Sequence, residues 1–304
     1  MGEKAGMMVR ELLEMVERRA HSLDLRDKSA TNQRHAVKML TPVFDLGIRA
    51  ASVGDTWIRH AERRIDEGLK PSTMRQRFDC AAALLGWVIH ADIKMKSASP
   101  GSLGRIMAAL REAARHINKR IKRHRAMSKT ARVSIDEYRD VVGQIEAMPR
   151  QHSAAAKMMI CFGLRASEAL SLSEASIINS ESGYALFIPG RETKTHADLF
   201  LPLPPKYIET VRGWLKEIGE KEIKYNTFYT SVTRSGNKWR GHDLRKIFRT
   251  MAAVNGGDYL ATELILNHAV KDVPAVYLQH PPYAAMRKVL ENSIDSYLEA
   301  AKAA

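Results

Sequence analysis

Through most of the chain apolar residues recur every third or fourth position, the spacing of a helix with one buried face. Met8-Val9, Leu12-Leu13, Val16 and Ala20 predict a first helix. A second opens near Ser29 or Thr31 and carries Val37, Leu40, Phe44 and Ile48 on its stripe. The third runs through Trp57, Ile58, Ala61 and Ile65 and stops at Gly68. Lys70-Pro71-Ser72-Thr73 opens a fourth, since Pro and Ser suit a first turn, with Phe78, Ala82, Leu85, Val88 and Ile89 inward. The polar run Ser97 to Ser102 separates it from a fifth, from about Leu103 to Arg125.

Beyond residue 133 the helical spacing resumes and is interrupted once. Ser134-Ile135-Asp136-Glu137 has the form of a capping box ahead of Tyr138, Val141, Val142 and Ile145. Another helix covers His152 to Phe162. Tyr184-Ala185-Leu186-Phe187-Ile188 and Leu199-Phe200-Leu201-Pro202-Leu203, two short apolar runs on either side of a polar tip, predict a β-hairpin. Helices return over Pro205 to Ile218, His242 to Val254, Tyr259 to Leu266 and Tyr283 to Ala300. The fold class is therefore mainly α: a helical first domain and a mixed, mainly helical second domain with a small antiparallel hairpin. At 304 residues two domains are the natural expectation, and 45% apolar residues supply two cores. The boundary falls between Ala126 and Val133, giving domains 1–126 and 134–304 joined by a basic connector.

Charge narrows the partners. The chain has 48 Lys and Arg against 34 Asp and Glu, a formal charge of +14. Such an excess suits a polyanion, because each neutralised phosphate releases counterions. Acidic lipid, or a protein that is merely basic, fits the charge less well than nucleic acid. Arg111, Arg115, Lys119, Arg120, Lys122, Arg123, Arg125, Lys129 and Arg132 face a single acid, Glu112. This run is either a solvated helix end or a segment that follows a DNA backbone, and the overall charge favours the second. Arg75 is a further candidate contact in the first domain.

Cys80 and Cys161 are the only cysteines, and both lie in apolar helical settings. They read as small hydrophobes, not as a disulfide or a zinc site. No stretch has the apolar length of a membrane span, and no secretory signal opens the chain. A cytoplasmic, nucleoid-associated protein is expected.

The candidate chemistry lies in the second half. Gly163-Leu164-Arg165-Ala166-Ser167-Glu168 places an arginine where a helix ends. Gly241-His242-Asp243-Leu244-Arg245 puts a histidine and an arginine on one helix face, followed by Asn267-His268 and then Tyr277. Two arginines, two histidines and a phenol suit attack on a phosphodiester, whose charge must be neutralised before a nucleophile approaches. The guanidinium fork matches the non-bridging oxygens of phosphate, so Arg165 and Arg245 form the candidate clamp. A phenol is a weak nucleophile at neutral pH and needs a base or nearby positive charge. Any one of these residues alone is more often structural.

Arg165 with Ala166-Ser167-Glu168, Lys194 in the hairpin, His242-x-x-Arg245, His268 and Tyr277 together resemble the signature of the tyrosine recombinases, the phage-integrase family. The likeness covers the second domain and extends more loosely to the first, where Gly68-Leu69-Lys70-Pro71-Ser72-Thr73 is the best local match. It implies that Tyr277 forms a 3′-phosphotyrosyl bond, that Lys194 protonates the departing 5′ oxygen, and that His242 and His268 bond the phosphoryl oxygens and assist proton transfer. Glu168 reads as a support for an arginine or for helix packing. Two positions depart from the family pattern. Asn267 stands where Gly is common, although Asn tolerates a left-handed backbone. Pro274 stands where small polar residues are usual.

The first helix begins within ten residues of the start, so the likeness points to the compact Xer-like and Cre-like type. It implies double-stranded DNA core sites as substrate, a homo-tetramer on synapsed DNA, accessory proteins in some settings, and neither cofactor nor metal. The helix over 283–300, with Met286, Val289-Leu290, Ile294 and Tyr297-Leu298 inward, either caps its own domain or links neighbouring subunits. Type IB topoisomerases share the chemistry without strand exchange, and an inactive DNA-binding accessory protein is the alternative from another class. The compact first domain and the His242-x-x-Arg245 spacing favour a recombinase.

Overall fold

Helices form where the apolar stripes place them, and the chain divides into two compact units, Met1–Lys129 and Thr130–Ala304. The computed structural model describes residues 2–22, 27–125, 132–180, 183–268 and 282–303. In the first unit α1 spans Gly2–Ser22, α2 Asp27–Phe44, α3 Ile48–Ala51, α4 Gly54–Asp66, α5 Pro71–His90 and α6 Pro100–Arg125. Trp57 is the centre of its core. The rings of Phe44 and Phe78 meet it edge-on at 5.2 and 6.1 Å, and its indole N–H donates to the Ala51 carbonyl at 2.7 Å. Such contacts add to the area the aromatics remove from water.

Two boundaries differ from the stripe reading. Ile48 does not continue the second helix: Pro42 lies in its last turn, Gly47 adopts a left-handed φ of 89°, and Ile48 starts the short α3. The fifth stripe begins earlier, at Pro100, because the Ser99 hydroxyl accepts from the Ser102 amide and Pro fits the first turn. The basic run is helical through Arg125 as part of α6.

In the second unit Ser134 and Glu137 close a reciprocal capping box: the Glu137 carboxylate accepts from the Ser134 amide at 2.9 Å. A 3-10 turn then leads into α7 (Tyr138–Glu146). The elements that follow are α8 (Arg150–Phe162), α9 (Ala166–Leu170), β1 (Ile177–Ser180), β2 (Gly183–Ile188), β3 (Leu199–Pro202), α10 (Ile208–Gly219), α11 (Tyr225–Arg234), α12 (Gly241–Val254), α13 (Tyr259–Ile265) and α14 (Tyr283–Ala303). The fold is mainly α with a small antiparallel sheet. That sheet has three strands in the order β1-β2-β3, where the sequence pattern predicted only the hairpin β2-β3. β1 escaped notice because Asn179 and Ser180 break its apolar character. α11 escaped because only Phe228 and Val232, one turn apart, carry its buried side.

Helix α8 is apolar nearly all round, with Ala154, Ala155, Ala156 and Met158 through Phe162 buried, so it forms the centre of the unit. Cys161 is among these residues, whereas Cys80 in the first unit is only half-buried. Helix α14 packs its stripe of Met286, Val289, Leu290, Ile294 and Tyr297 into this same core, against α7, α8, α13 and β3. The amphipathic face considered for a neighbouring subunit is thus occupied within its own unit. Tyr297 also donates to Glu146 at 2.6 Å, and Lys157 pairs with that carboxylate at 2.9 Å. Among the described residues no helix is long and apolar enough to cross a membrane.

Candidate active site

The site is built where α8 ends. Gly163 caps that helix at φ 63°, and a Cβ there would lie 2.6 Å from Phe248 of α12 and 2.8 Å from Leu266. Glycine is required for both the backbone conformation and the close approach. This approach brings the Gly163 and Leu266 carbonyls to the Arg245 guanidinium, which donates to both. Arg245 projects from α12 and is only 4% exposed. Two carbonyls therefore fix its fork from behind.

The turn after α13 supplies the next group. Asn267 adopts φ 48°, its amide donates to the Leu264 carbonyl at 2.9 Å, and the His268 amide donates to Glu263 at 3.0 Å. This paired pattern is a Schellman turn, which needs a left-handed residue where Asn267 stands. It directs His268 back toward Arg245, placing Nε2 3.0 Å from the guanidinium. The other ring nitrogen, Nδ1, lies 2.7 Å from Glu263 Oε2.

Arg165 follows Gly163 by two residues and is half-buried at the start of α9. Glu168, fully buried, accepts from the Arg165 side chain at 2.7 Å and from its amide at 2.8 Å. One carboxylate thus caps the short helix and orients the arginine. Burial pushes Arg245 down to about 10, the nearby Arg165 acts in the same direction, and Glu168 and Glu263 oppose them. A site that strains to hold two cations is one that an anion would relieve.

His242 sits in the first turn of α12, and a Cβ added at the preceding Gly241 would lie 3.0 Å from the Met159 methyl group. Partial burial, with Lys246, Arg245 and Arg165, holds its imidazole below the ordinary value, against the pull of Asp243. Asp243 anchors the same turn, accepting from the Arg240 amide at 3.0 Å, Lys246 at 3.1 Å and Arg132 at 3.2 Å.

Of the residues singled out from sequence, the fold gathers Arg165, Glu168, His242, Arg245 and His268 around the ends of α8, α12 and α13. Lys194 lies apart from these contacts, exposed in the loop between β2 and β3. It makes no hydrogen bond or ion pair to another described residue. Its loop is nonetheless well braced: buried Thr193 donates to the Ala197 carbonyl at 2.9 Å, and Asp198 accepts from the Gly190 amide at 2.7 Å. Tyr277 and Pro274 lie outside the described residues. On α6, Arg111, Arg115 and Lys119 are exposed. The side chains of Arg120, Lys122, Arg123 and Arg125 lie outside those described. Arg75 is paired with Asp79 at 3.3 Å. Among the described residues no group of His, Cys, Asp and Glu is arranged to hold a metal ion.

Sequence reasoning missed Gly163 as a packing residue and Glu263 altogether. A signal for Glu263 was present: it is the one charged residue in the mostly apolar Leu260-Ala261-Thr262-Glu263-Leu264-Ile265-Leu266, a place where a carboxylate needs a partner.

Among solved structures, the chain is similar to the crystal structure of the lambda integrase (residues 75–356) bound to DNA. The TM-score is 0.56 at 16% identity, covering 87% of this chain and 92% of that one. No protein-family model matches the sequence, and no curated protein matches it. At this identity the likeness establishes a shared fold.

Proposed function

We propose that the protein is a tyrosine recombinase, which cleaves and rejoins DNA through a covalent 3′-phosphotyrosyl intermediate. The observation that carries this reading is the convergence of Arg165, Arg245 and His268, with His242 beside them, on a fold shared with a DNA-bound integrase. Arg165 and Arg245 clamp the non-bridging oxygens and neutralise the charge that develops at phosphorus. Glu168 and the two backbone carbonyls hold the clamp, so little reorganisation accompanies reaction.

Tyr277 attacks phosphorus and the 5′ oxygen leaves with a proton from Lys194, whose place on an exposed, braced loop suits approach to a leaving group. His242 and His268 stand at the phosphoryl group and assist proton transfer at the tyrosine, one of them taking up the phenol proton. The new ester keeps the energy of the broken one, and the freed 5′ hydroxyl of a second duplex reverses the step. DNA is held by phosphate contacts from exposed Arg111, Arg115 and Lys119, with the remaining basic residues of α6 and the connector continuing the track. Residues 1–126 would then act as the DNA clamp and 134–304 as the catalytic domain.

Two assays with the full chain test this. A plasmid bearing two target sites should be recombined, with loss of product in Arg165→Ala. Relaxation of supercoils without exchange would instead assign a type IB topoisomerase, and DNA binding with neither activity an accessory protein.

A further inference from the structure

We propose that Glu263 is a positioning residue: braced by Arg249, it fixes His268 with its ring proton on Nδ1 and Nε2 turned to the phosphate clamp. Arg245 carries donors only, so the 3.0 Å contact requires Nε2 of His268 to accept. The proton therefore resides on Nδ1, which donates to Glu263 Oε2 at 2.7 Å. A carboxylate on one ring nitrogen sets the tautomer and offsets the charge that appears when the other nitrogen takes up a proton.

The arrangement depends on how Glu263 is itself held. It is 6% exposed, on α13, and faces α12, where Arg245 and Arg249 stand one turn apart. A carboxylate so close to Arg245 would be expected to pair with it directly. Arg249 prevents this: its Nε lies 2.6 Å from Glu263 Oε1, which leaves only Oε2 to turn inward. The chain Arg249–Glu263–His268–Arg245 thus runs from a half-exposed arginine to a buried one. Every charge in it has an opposite or neutral neighbour. In the proton transfer, the donor's O–H bond breaks, an Nε2–H bond forms, and Glu263 balances the imidazolium.

What His268 acts upon rests on the recombinase reading, but its tautomer does not, so the two are tested separately. In the full-length protein labelled with 15N-histidine, long-range proton–nitrogen spectra at neutral pH report each ring's tautomer. His268 is identified by the signal lost in His268→Gln. The expected wild-type pattern is Nδ1–H, turning toward Nε2–H in Glu263→Ala. A wild-type ring protonated on Nε2, or one unchanged in Glu263→Ala, overturns the proposal.

Adduct formation on nicked duplexes is the second readout. Glu263→Ala should slow it by about 10- to 100-fold, a share of what proton transfer contributes to such reactions. If Glu263→Ala does not fold, Glu263→Gln decides. It still accepts from Nδ1–H but lacks charge, so the acidic limb of its rate profile should move to lower pH. An unmoved limb overturns the proposal. An Nδ1–H ring in a wild-type protein that forms no adduct supports the positioning role and refutes the recombinase reading instead.

Discussion

Replacing Gly163 by Ala should be among the most damaging single-methyl changes in the second unit. The residue has φ 63°, and the added carbon would lie 2.6 Å from Phe248 and 2.8 Å from Leu266, both fully buried or nearly so. The left-handed backbone costs about 1–2 kcal/mol for a residue with a Cβ, and forcing a methyl into a filled core about 1–3 kcal/mol more. A loss of about 3 kcal/mol lies mid-range, and in a unit of this size it lowers the melting midpoint by roughly 6–12 °C. Gly213→Ala is the internal comparison, since it lies inside α10 with nothing within 4 Å of the added carbon. It should gain about 0.5–1 kcal/mol from helix propensity. Guanidinium titration of both variants, followed by tryptophan fluorescence and far-UV circular dichroism, gives the two differences. A Gly163→Ala loss below about 1 kcal/mol would refute the packing argument, because the backbone term alone reaches that value. The same change displaces the two carbonyls that hold Arg245, so DNA cleavage should fall further than stability accounts for.

Four further outcomes follow from contacts in the second unit. Asn267→Gly should preserve or raise stability by up to about 1 kcal/mol, whereas Asn267→Val should cost about 1–2 kcal/mol and misdirect His268, as denaturant midpoints and cleavage rates will report. Burial pushes the Asp243 carboxyl up, but the bonds from Lys246 and the Arg240 amide, with the charges of Lys246 and Arg132, bring it below its usual 3.8. A depressed carboxyl stabilises the fold above the unfolded value and loses that contribution as pH falls through the folded one. Midpoints measured from pH 7 to 2 should therefore fall less steeply below about pH 4 in Asp243→Asn than in wild type. Tyr297→Phe should cost about 1.5–3 kcal/mol, the worth of a hydrogen bond to a charged group, and removal of residues from Tyr283 onward should abolish cooperative unfolding of the second unit. A truncated chain that still unfolds cooperatively would show that α14 is an appendage.

The apolar stripes made the long helices legible because burial on one face imposes the helical period directly on the sequence. Short elements escaped for the same reason. β1 spans Ile177–Ser180 and α9 spans Ala166–Leu170, too few residues to display a period, and tertiary contacts define them. Ile48 falls on the apolar stripe of the second helix yet starts α3, because a stripe does not register the break that Pro42 and Gly47 impose. At the site, Arg165, His242, Arg245 and His268 were legible as chemistry, and Asn267 as a left-handed turn residue. What holds them was not legible. The Gly163 and Leu266 carbonyls are backbone atoms, and the pairing of Glu263 with Arg249 and His268 joins residues whose proximity only the packing of α13 on α12 creates.

The most direct test of the central claim is covalent capture. The full chain is incubated in EDTA with a pool of randomised nicked duplexes, denatured, and the attached DNA sequenced. Wild-type protein should retain DNA of a defined sequence joined through its 3′ phosphate, and Tyr277→Phe should retain none. Selective binding to the pool without any covalent product, or adducts that persist in Tyr277→Phe, would contradict it.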